Sequence, residues 1–254
     1  MVATPAPRVL TTAERTRLVK LRASVLAHYK SHARNHLPWR KTRDPYKILV
    51  SEIMLQQTQA TRVVPKYKAF IKEFPTARAL AASPLKRVLA AWSGLGYNRR
   101  AKYLWEAARG GTRGIGPYTA NAVRVFAHNE PVTMIETNIR TVYLHHLFPK
   151  AKNVPDSKLI SYMISVNEEV WRKGIEPRVW YAALMDYGSY LKTKYPNPSR
   201  RSAGHTKQKK FIGSDREIRG AILRAHLSHT KVSGFDPKRV VELRKKLKRE
   251  GLVT

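Results

Sequence analysis

The sequence predicts an all-α protein, and three observations support this prediction. Along most of the chain, apolar residues recur at the three- and four-residue spacing of a buried helix face, as in TTAERTRLVKLRASVLAHYK. Pro, Gly or Ser residues, which commonly end helices, separate these periodic segments. No segment alternates apolar and polar residues as a half-buried strand does. We therefore expect a body of about ten helices and a shorter C-terminal part.

The helices can be assigned in order along the chain. Residues 1–12 are expected to form a flexible tail, with Thr12 as the N-cap of the first helix. Pro45 suits the first position of a second helix, which runs through LVSEIMLQQ. Short helices follow in QATRVVPKYKAFIKEFP, TARALAAS, PLKRVLAAWSGLG and YNRRAKYLWEAARG. A glycine turn precedes the helices of PYTANAVRVFAHN, ETNIRTVYLHHLF, DSKLISYMISVNEEVWRKG and PRVWYAALMDYGSYLKTKY.

The C-terminal part follows a basic linker, residues 201–213, which is rich in Gly, Ser, Lys and Arg. Residues 214–254 open with Ser214 and Asp215, which suit a helix start, and contain two helical patterns before the apolar tip GLVT. Two interpretations fit this order of elements equally well. One is a helix-turn-helix or winged-helix appendage with a strand-like end. The other is a pair of amphipathic helices that pack back on the body.

The composition indicates a polyanionic partner. Lys and Arg total 49 against 17 acidic residues, which gives a formal charge of +32. Nucleic acid is the first candidate partner, and an anionic membrane surface is the alternative. No apolar run approaches the ~18 residues that a spanning helix needs. The N-terminus lacks the apolar core of a signal peptide, and we expect a cytoplasmic, nucleoid-associated protein.

The chain contains no cysteine. Disulfides, thiolate metal sites and iron–sulfur clusters are therefore excluded.

The glycine turn is the first candidate binding motif. Gly114 and Gly116 flank one residue and precede a helix that starts at Pro117. Glycines permit positive φ angles, and the amides at a helix N-terminus form an anion site that suits a DNA phosphate. Taken alone, the same turn also fits a simple loop between two helices.

This turn belongs to a longer resemblance. GIGPYTANAV resembles the second half of the helix-hairpin-helix element of the endonuclease III/MutY superfamily of base-excision DNA glycosylases. LPWRKTRDPYKILVSEIMLQQTQATRVVPKYKAFIKEFP resembles the opening of MutY-type adenine glycosylases, and WSGLGYNRRAKYL and IETNIRTV resemble later segments. The similarity spans roughly residues 37–195, and EIMLQQTQ is its most specific part.

The resemblance implies a two-lobed helix-hairpin-helix glycosylase fold. One lobe would comprise residues 13–42 with 143–200. The other, a six-helix barrel-like lobe that carries the hairpin, would comprise residues 43–142. Residues 214–254 would form a small basic helical appendage.

The resemblance also assigns catalytic roles. Excising a base requires a proton on the leaving base and negative charge beside the sugar cation. Glu52, in an apolar helix, matches the acid that protonates adenine N7 and later activates water, since burial raises the pKa of a carboxyl group. Glu136 matches an Asp that stabilises the cation, although a Glu at a helix start also suits a simple cap. Asn138 matches the residue that orients the catalytic group. Tyr118 stands where bifunctional lyases carry a Schiff-base lysine, so a monofunctional enzyme that uses water is expected.

DNA contacts are expected on the same lobe. Gln56, Gln57 and Tyr97 match residues that enter the duplex in place of the flipped base. Tyr97 fits almost equally well as an aromatic residue packed beneath its loop. Arg99 and Arg100 are expected to face phosphates. The remaining predicted DNA-binding residues lie at the glycine turn: Gly114, Gly116 and Thr119.

The sequence departs from the family pattern in three places. The four cysteines that hold a [4Fe–4S] cluster in typical members are absent, so no cofactor is expected, although the hairpin could still bind a monovalent or divalent cation. About twenty residues that normally precede GIG, and carry the first hairpin helix, are missing by comparison with the family. The ~40 C-terminal residues are too few for the domain that reads 8-oxoguanine opposite adenine.

The leading hypothesis is a monomeric, monofunctional DNA glycosylase that acts on lesion- or mismatch-containing duplex DNA, with adenine opposite 8-oxoguanine or G as the favoured base. Two alternatives stay open. One is a mismatch thymine or uracil glycosylase, and the other is a non-catalytic DNA-binding protein on a glycosylase scaffold.

Overall fold

The computed structural model describes residues 10–206 and 210–253. Within these ranges the chain forms twelve α-helices, two short 3-10 helices and no strand, which confirms the predicted all-α class. The α-helices are α1 Thr12–His32, α2 Pro45–Leu55, α3 Ala60–Glu73, α4 Ala77–Ala82, α5 Leu85–Ala91, α6 Arg99–Ala108, α7 Pro117–His128, α8 Thr137–Leu147, α9 Asp156–Arg172, α10 Pro177–Lys194, α11 Asp215–Ser228 and α12 Pro237–Arg249. The 3-10 helices are Pro38–Arg40 and Pro198–Arg201. No helix in this part of the chain is long and apolar enough to cross a membrane.

Helix α1 begins with a reciprocal capping box. The Glu14 amide donates to Thr11 Oγ1 at 3.2 Å, and the Thr11 amide donates to Glu14 Oε2 at 2.9 Å. The N-cap is therefore Thr11 and not Thr12, because a carboxylate three residues after Thr11 completes the box. Most of the predicted flexible tail, residues 1–9, lies outside the described residues.

The described residues divide into two units, at boundaries that fall in or beside α2 and α7. In the first unit, residues 10–45 and 120–206, helix α8 packs against α1 and α10. Gly188 allows α10 to approach α8 closely, since a Cβ atom at this position would lie 2.2 Å from the Asn138 carbonyl oxygen. The close approach fixes the start of α8, the helix that Glu136 caps.

The second unit comprises residues 46–119 and 210–253. Helix α6 packs against α4 and α5, and the C-terminal pair α11 and α12 packs together, with α11 against α5. Residues 251–253, the described part of the tip GLVT, form no strand. Leu252 and Val253 are buried, which follows from their apolar side chains and favours the interpretation of two helices packed on the body over the winged helix.

This division differs from the predicted domain boundaries in two ways. Residues 120–142 group with the terminal helices of the first unit, in which α8 packs against both α1 and α10. Residues 214–253 group with residues 46–119 in the second unit, and α11 contributes buried Ile218 and Ile222 to its packing. Part of the predicted linker, residues 207–209, lies outside the described residues.

Candidate functional site

Glu52 lies near the end of α2 as a buried carboxylate. Its neighbours Ile48, Ile53 and Met54 are buried apolar side chains, and Glu52 itself is only 7% exposed. The Tyr118 hydroxyl donates a hydrogen bond of 2.9 Å to Glu52 Oε2. A buried carboxylate is costly unless it has hydrogen-bond donors, so this phenol stabilises the acid where it stands.

Tyr118 is placed by the glycine turn before α7. Gly114 has φ of 81°, and a Cβ atom there would lie 2.5 Å from the Tyr103 ring, so glycine is required. Gly116 has no comparable constraint, since a Cβ atom at this position would have open space around it. The turn follows α6 after residues 109–116, and no hairpin helix stands between α6 and α7. Thr119 is buried, and its hydroxyl accepts a long 3.5 Å contact from Gln56 Nε2.

Gln57 and Tyr97 share an unusual backbone geometry. Their φ angles are 55° and 47°, in the left-handed region that non-glycine residues seldom occupy. Both residues, together with Gln56, Asn98 and Arg99, line an open cavity of about 450 Å³ in the second unit. Strained backbone of this kind often occurs at functional sites, and the three predicted wedge residues line one cavity.

Arg100 does not face a phosphate, which corrects the sequence-based expectation. Its guanidinium is buried and donates to the carbonyls of Ile53 and Met54 at 2.9 and 3.1 Å, and also to the Gln56 carbonyl. Burial lowers the pKa of Arg100 to about 10. Through these hydrogen bonds, Arg100 links α6 to the C-terminal end of α2. Arg99, one position earlier, has an exposed side chain that lies 3.9 Å from the Glu250 carboxylate, and its phosphate contact stays a prediction.

Glu136 lies in the first unit and caps α8. Its Oε1 accepts hydrogen bonds from the amides of Asn138 and Ile139 at 2.7 and 2.9 Å. Its Oε2 accepts from Asn138 Nδ2 at 3.2 Å. These donors and the helix dipole stabilise the charged carboxylate and fix its orientation.

Sequence reasoning missed Lys192 of α10. Its ammonium donates to Asn138 Oδ1 at 2.7 Å and so holds the amide whose nitrogen contacts Glu136. Burial lowers the pKa of Lys192, and the nearby Glu136 opposes that shift. Lys192 lies in the last turn of α10 with Lys194, where basic residues are common, so no local signal distinguished it.

Sequence reasoning also missed Arg216 of α11. This arginine lines the cavity beside Tyr97 and donates to the Tyr97 hydroxyl.

The residues do not fit the iron–sulfur cluster of typical members, because the chain contains no cysteine. Where the cysteines would begin, Asp186 is buried and accepts from Arg34 Nε at 2.8 Å and from Arg40 Nη2 at 3.0 Å. These ion pairs join the middle of α10 to the segment after α1. The hairpin-bound cation stays a prediction.

Comparison with known proteins establishes the class. Residues 50–249 match the model of the HhH-GPD superfamily base excision DNA repair proteins, and the chain belongs to this family. An adenine DNA glycosylase of Mycolicibacterium smegmatis is 32% identical, with 78% of each chain covered. One from Mycobacterium tuberculosis is 31% identical, over 79% of this chain and 76% of the relative. A solved thermostable thymine-DNA glycosylase superposes with a TM-score of 0.57 at 25% identity, over 70% of this chain and 88% of its own.

These matches confirm the predicted helix-hairpin-helix fold and the predicted class, a base-excision DNA N-glycosylase that binds DNA. The roles of individual site residues stay predictions.

Proposed function

We propose that this protein is a monofunctional DNA glycosylase that hydrolyses the N-glycosidic bond of a mispaired or damaged base, with adenine opposite 8-oxoguanine or guanine as the favoured substrate. The observation that carries the proposal is the buried Glu52 carboxylate with its 2.9 Å hydrogen bond from Tyr118. A protein that only binds DNA gains nothing from burying an acid in an apolar helix, which lowers stability.

Glu52 is proposed as the general acid and later the base. Its proton passes to N7 of the flipped adenine, and the C1′–N9 bond breaks with its electron pair moving to the base. Water then adds to C1′ and gives a proton back to Glu52, so the acid is restored. General acid–base catalysis of this kind contributes about 10²- to 10⁴-fold in rate.

Glu136 is proposed to stabilise the sugar cation. Its carboxylate is held by two α8 amides and by Asn138, which Lys192 orients in turn. A carboxylate fixed in advance stabilises developing positive charge without reorganising during the reaction. The extra methylene relative to the Asp of the resembling enzymes places the charge differently, so the rate is expected to depend strongly on this side chain's length.

Tyr118 supports hydrolysis without strand cleavage. A lyase needs an amine that forms a Schiff base with C1′, and a phenol cannot supply one. The phenol instead donates to Glu52.

The names of the relatives support adenine as the excised base, since the glycosylases of Mycolicibacterium smegmatis and Mycobacterium tuberculosis are both described as acting on adenine. The thymine-DNA glycosylase structure favours a second candidate, removal of mismatched thymine or uracil. We further propose that the protein acts as a monomer on lesion- or mismatch-containing duplexes, in the cytoplasm with the nucleoid.

The test uses four duplexes that carry A opposite 8-oxoguanine, A opposite G, T opposite G, or U opposite G. Purified protein is incubated with each, and alkali then cleaves any abasic site. Alkali-dependent breaks in the two adenine duplexes, absent in Glu52→Gln, are expected. Breaks without alkali would contradict the monofunctional mechanism, and breaks only opposite G in the T or U duplex would favour the second candidate.

The matched control is Glu242→Gln. Glu242 has an exposed side chain on α12, paired with Lys246, so the same chemical change falls outside the proposed site. This variant should retain full excision. If both variants bind duplex but wild type breaks none of the four substrates, the protein is a DNA-binding protein on a glycosylase scaffold.

A further inference from the structure

The predicted wedge residue Tyr97 is held by two arginines. The guanidinium carbon of Arg100 lies 5.4 Å from the centre of the Tyr97 ring, and that of Arg216 lies 5.2 Å from it. Both distances fall within the range of cation–π attraction. Arg216 Nη1 also donates to the Tyr97 hydroxyl at 2.5 Å. The ring therefore has a defined position although its backbone is left-handed.

The helix that carries Arg216 is itself anchored to α6. Arg219, one turn after Arg216, binds the Glu250 carboxylate at 3.1 and 2.5 Å. The Lys102 ammonium of α6 donates to the Glu250 carbonyl at 2.6 Å. With Ile218 buried on the inner face of α11, the α11–α12 hairpin has a fixed position beside the loop that carries Tyr97.

We infer that the α11–α12 hairpin is part of the DNA-engaging surface and that Arg216 is a positioning residue for Tyr97. The inference rests on the proposed function and extends it to a segment that contains none of the predicted site residues. Inserting a side chain into a duplex orders that side chain, and a ring that is already fixed loses less entropy on insertion. Arg216 supplies this preorganisation, and its charge also lies in a cavity lined by Arg99 and Arg219.

Arg216 could instead act only as a phosphate contact or only as a packing residue, and these roles make different predictions. A phosphate contact weakens binding to all duplexes alike when it is removed. A packing residue lowers stability without changing preference among duplexes. A positioning residue changes the preference for a duplex with a vacant base position, and it does so only while Tyr97 is present.

The test is a double-mutant cycle measured by binding, with no excision needed. The probes are a duplex with one tetrahydrofuran abasic analogue and the same duplex intact, and the readout is the ratio of their dissociation constants. Arg216→Ala is expected to reduce the preference for the abasic duplex at least fivefold, as is Tyr97→Ala. The double variant should be no worse than Tyr97→Ala. Equal losses from Arg216→Ala in the presence and absence of Tyr97 would overturn the inference.

Arg244→Ala is the matched control. Arg244 is exposed on α12, so its removal takes one charge from the same hairpin without touching Tyr97. Arg244→Ala should weaken binding to both duplexes by the same factor and leave the ratio of their dissociation constants unchanged. If Arg216→Ala and Arg244→Ala give the same ratio of dissociation constants, Arg216 contributes only its charge to binding, and the proposal is contradicted.

Two conservative variants keep the test usable if Arg216→Ala fails to fold. Arg216→Lys retains the charge but not the planar contact, and Tyr97→Phe removes only the hydroxyl that Arg216 contacts. Both are expected to reduce the abasic preference at least twofold, and unchanged ratios in both would overturn the inference. Because binding is measured, a protein that excises no base but shows the coupled ratios would refute the proposed function alone.

Discussion

The hydroxyl of Tyr118 donates a 2.9 Å hydrogen bond to the buried carboxylate of Glu52. One residue comes from the start of α7 and the other from α2, and both belong to the second unit. Bifunctional lyases of the superfamily need an amine at the position of Tyr118. Here the position holds a phenol, which donates a hydrogen bond to Glu52. This relationship connects the proposed hydrolytic mechanism with the local packing.

Tyr118→Phe should slow excision while leaving the fold intact. The change removes a hydrogen bond to a buried carboxylate, and such bonds contribute about 1.5–3 kcal/mol. We expect the single-turnover rate to fall about tenfold and the free energy of unfolding to fall by about 1.5–3 kcal/mol. Urea denaturation and single-turnover excision measure the two effects. An unchanged rate would show that the phenol does not support Glu52 during the reaction.

Arg100 and Arg99 should respond oppositely to substitution. Arg100→Lys cannot reproduce the planar set of donors, so buried carbonyls lose partners and the free energy of unfolding should fall by about 3 kcal/mol. Arg99→Ala should leave stability unchanged and reduce the slope of log binding constant against log salt by about 1. Urea denaturation and DNA binding at several salt concentrations measure both. If Arg100→Lys is as stable as wild type and has a smaller slope of log binding constant against log salt, Arg100 contacts a phosphate after all.

Gly188→Ala should disturb the cap of α8. The new methyl would lie 2.2 Å from the Asn138 carbonyl oxygen. Because this oxygen belongs to the backbone, the clash can be relieved only if α8 moves. Overpacking of this kind costs about 1–3 kcal/mol, and we expect a loss of that size together with slower excision. Gly220→Ala in α11 is the control, since a Cβ atom there meets only the tip of the Arg224 side chain at 3.4 Å. It should stabilise the protein by about 0.5–1 kcal/mol, and stability lost equally in both would contradict the steric argument.

His146 should make stability fall in mild acid. Burial, with help from His145 and Lys20, lowers the pKa of His146 from 6.5 to about 4. Between these values the unfolded chain binds a proton that the folded chain does not, so stability present above pH 6.5 is lost as pH falls toward 4. We expect this group to contribute a loss on the order of 2 kcal/mol. Urea denaturation at pH 7.5 and 5 should show a smaller pH dependence in His146→Gln than in the exposed control His36→Gln, and equal dependence would contradict this assignment.

The helical class was predictable because periodicity and helix-ending residues are local signals. The residues around Glu52 were predictable for a different reason, since EIMLQQTQ resembles a known family closely. Burial of Arg100 was not predictable from RR in the sequence. Adjacent helix residues point in different directions, and only the packing of α6 decides which arginine faces inward.

Other features depend on contacts between distant parts of the chain. Lys192 and Asn138 are separated by 54 positions, and no local pattern links them. The conformation of the C-terminal tip could not be predicted either, because the apolar residues of GLVT fit both a strand and a buried chain end until the residues packed around them are known. The capping role of Glu136 was foreseen as an alternative, and the structure shows the cap; whether the same carboxylate serves catalysis stays a prediction.

The most direct test of the central claim is detection of the free base. Wild type and Glu52→Gln are incubated with a duplex that carries adenine opposite 8-oxoguanine, and the released small molecules are identified by mass spectrometry. The account predicts free adenine from wild type, at least about 10³-fold less from Glu52→Gln, and equal duplex binding by both. Release of adenine at the wild-type rate by Glu52→Gln would contradict the assignment of Glu52 as the acid.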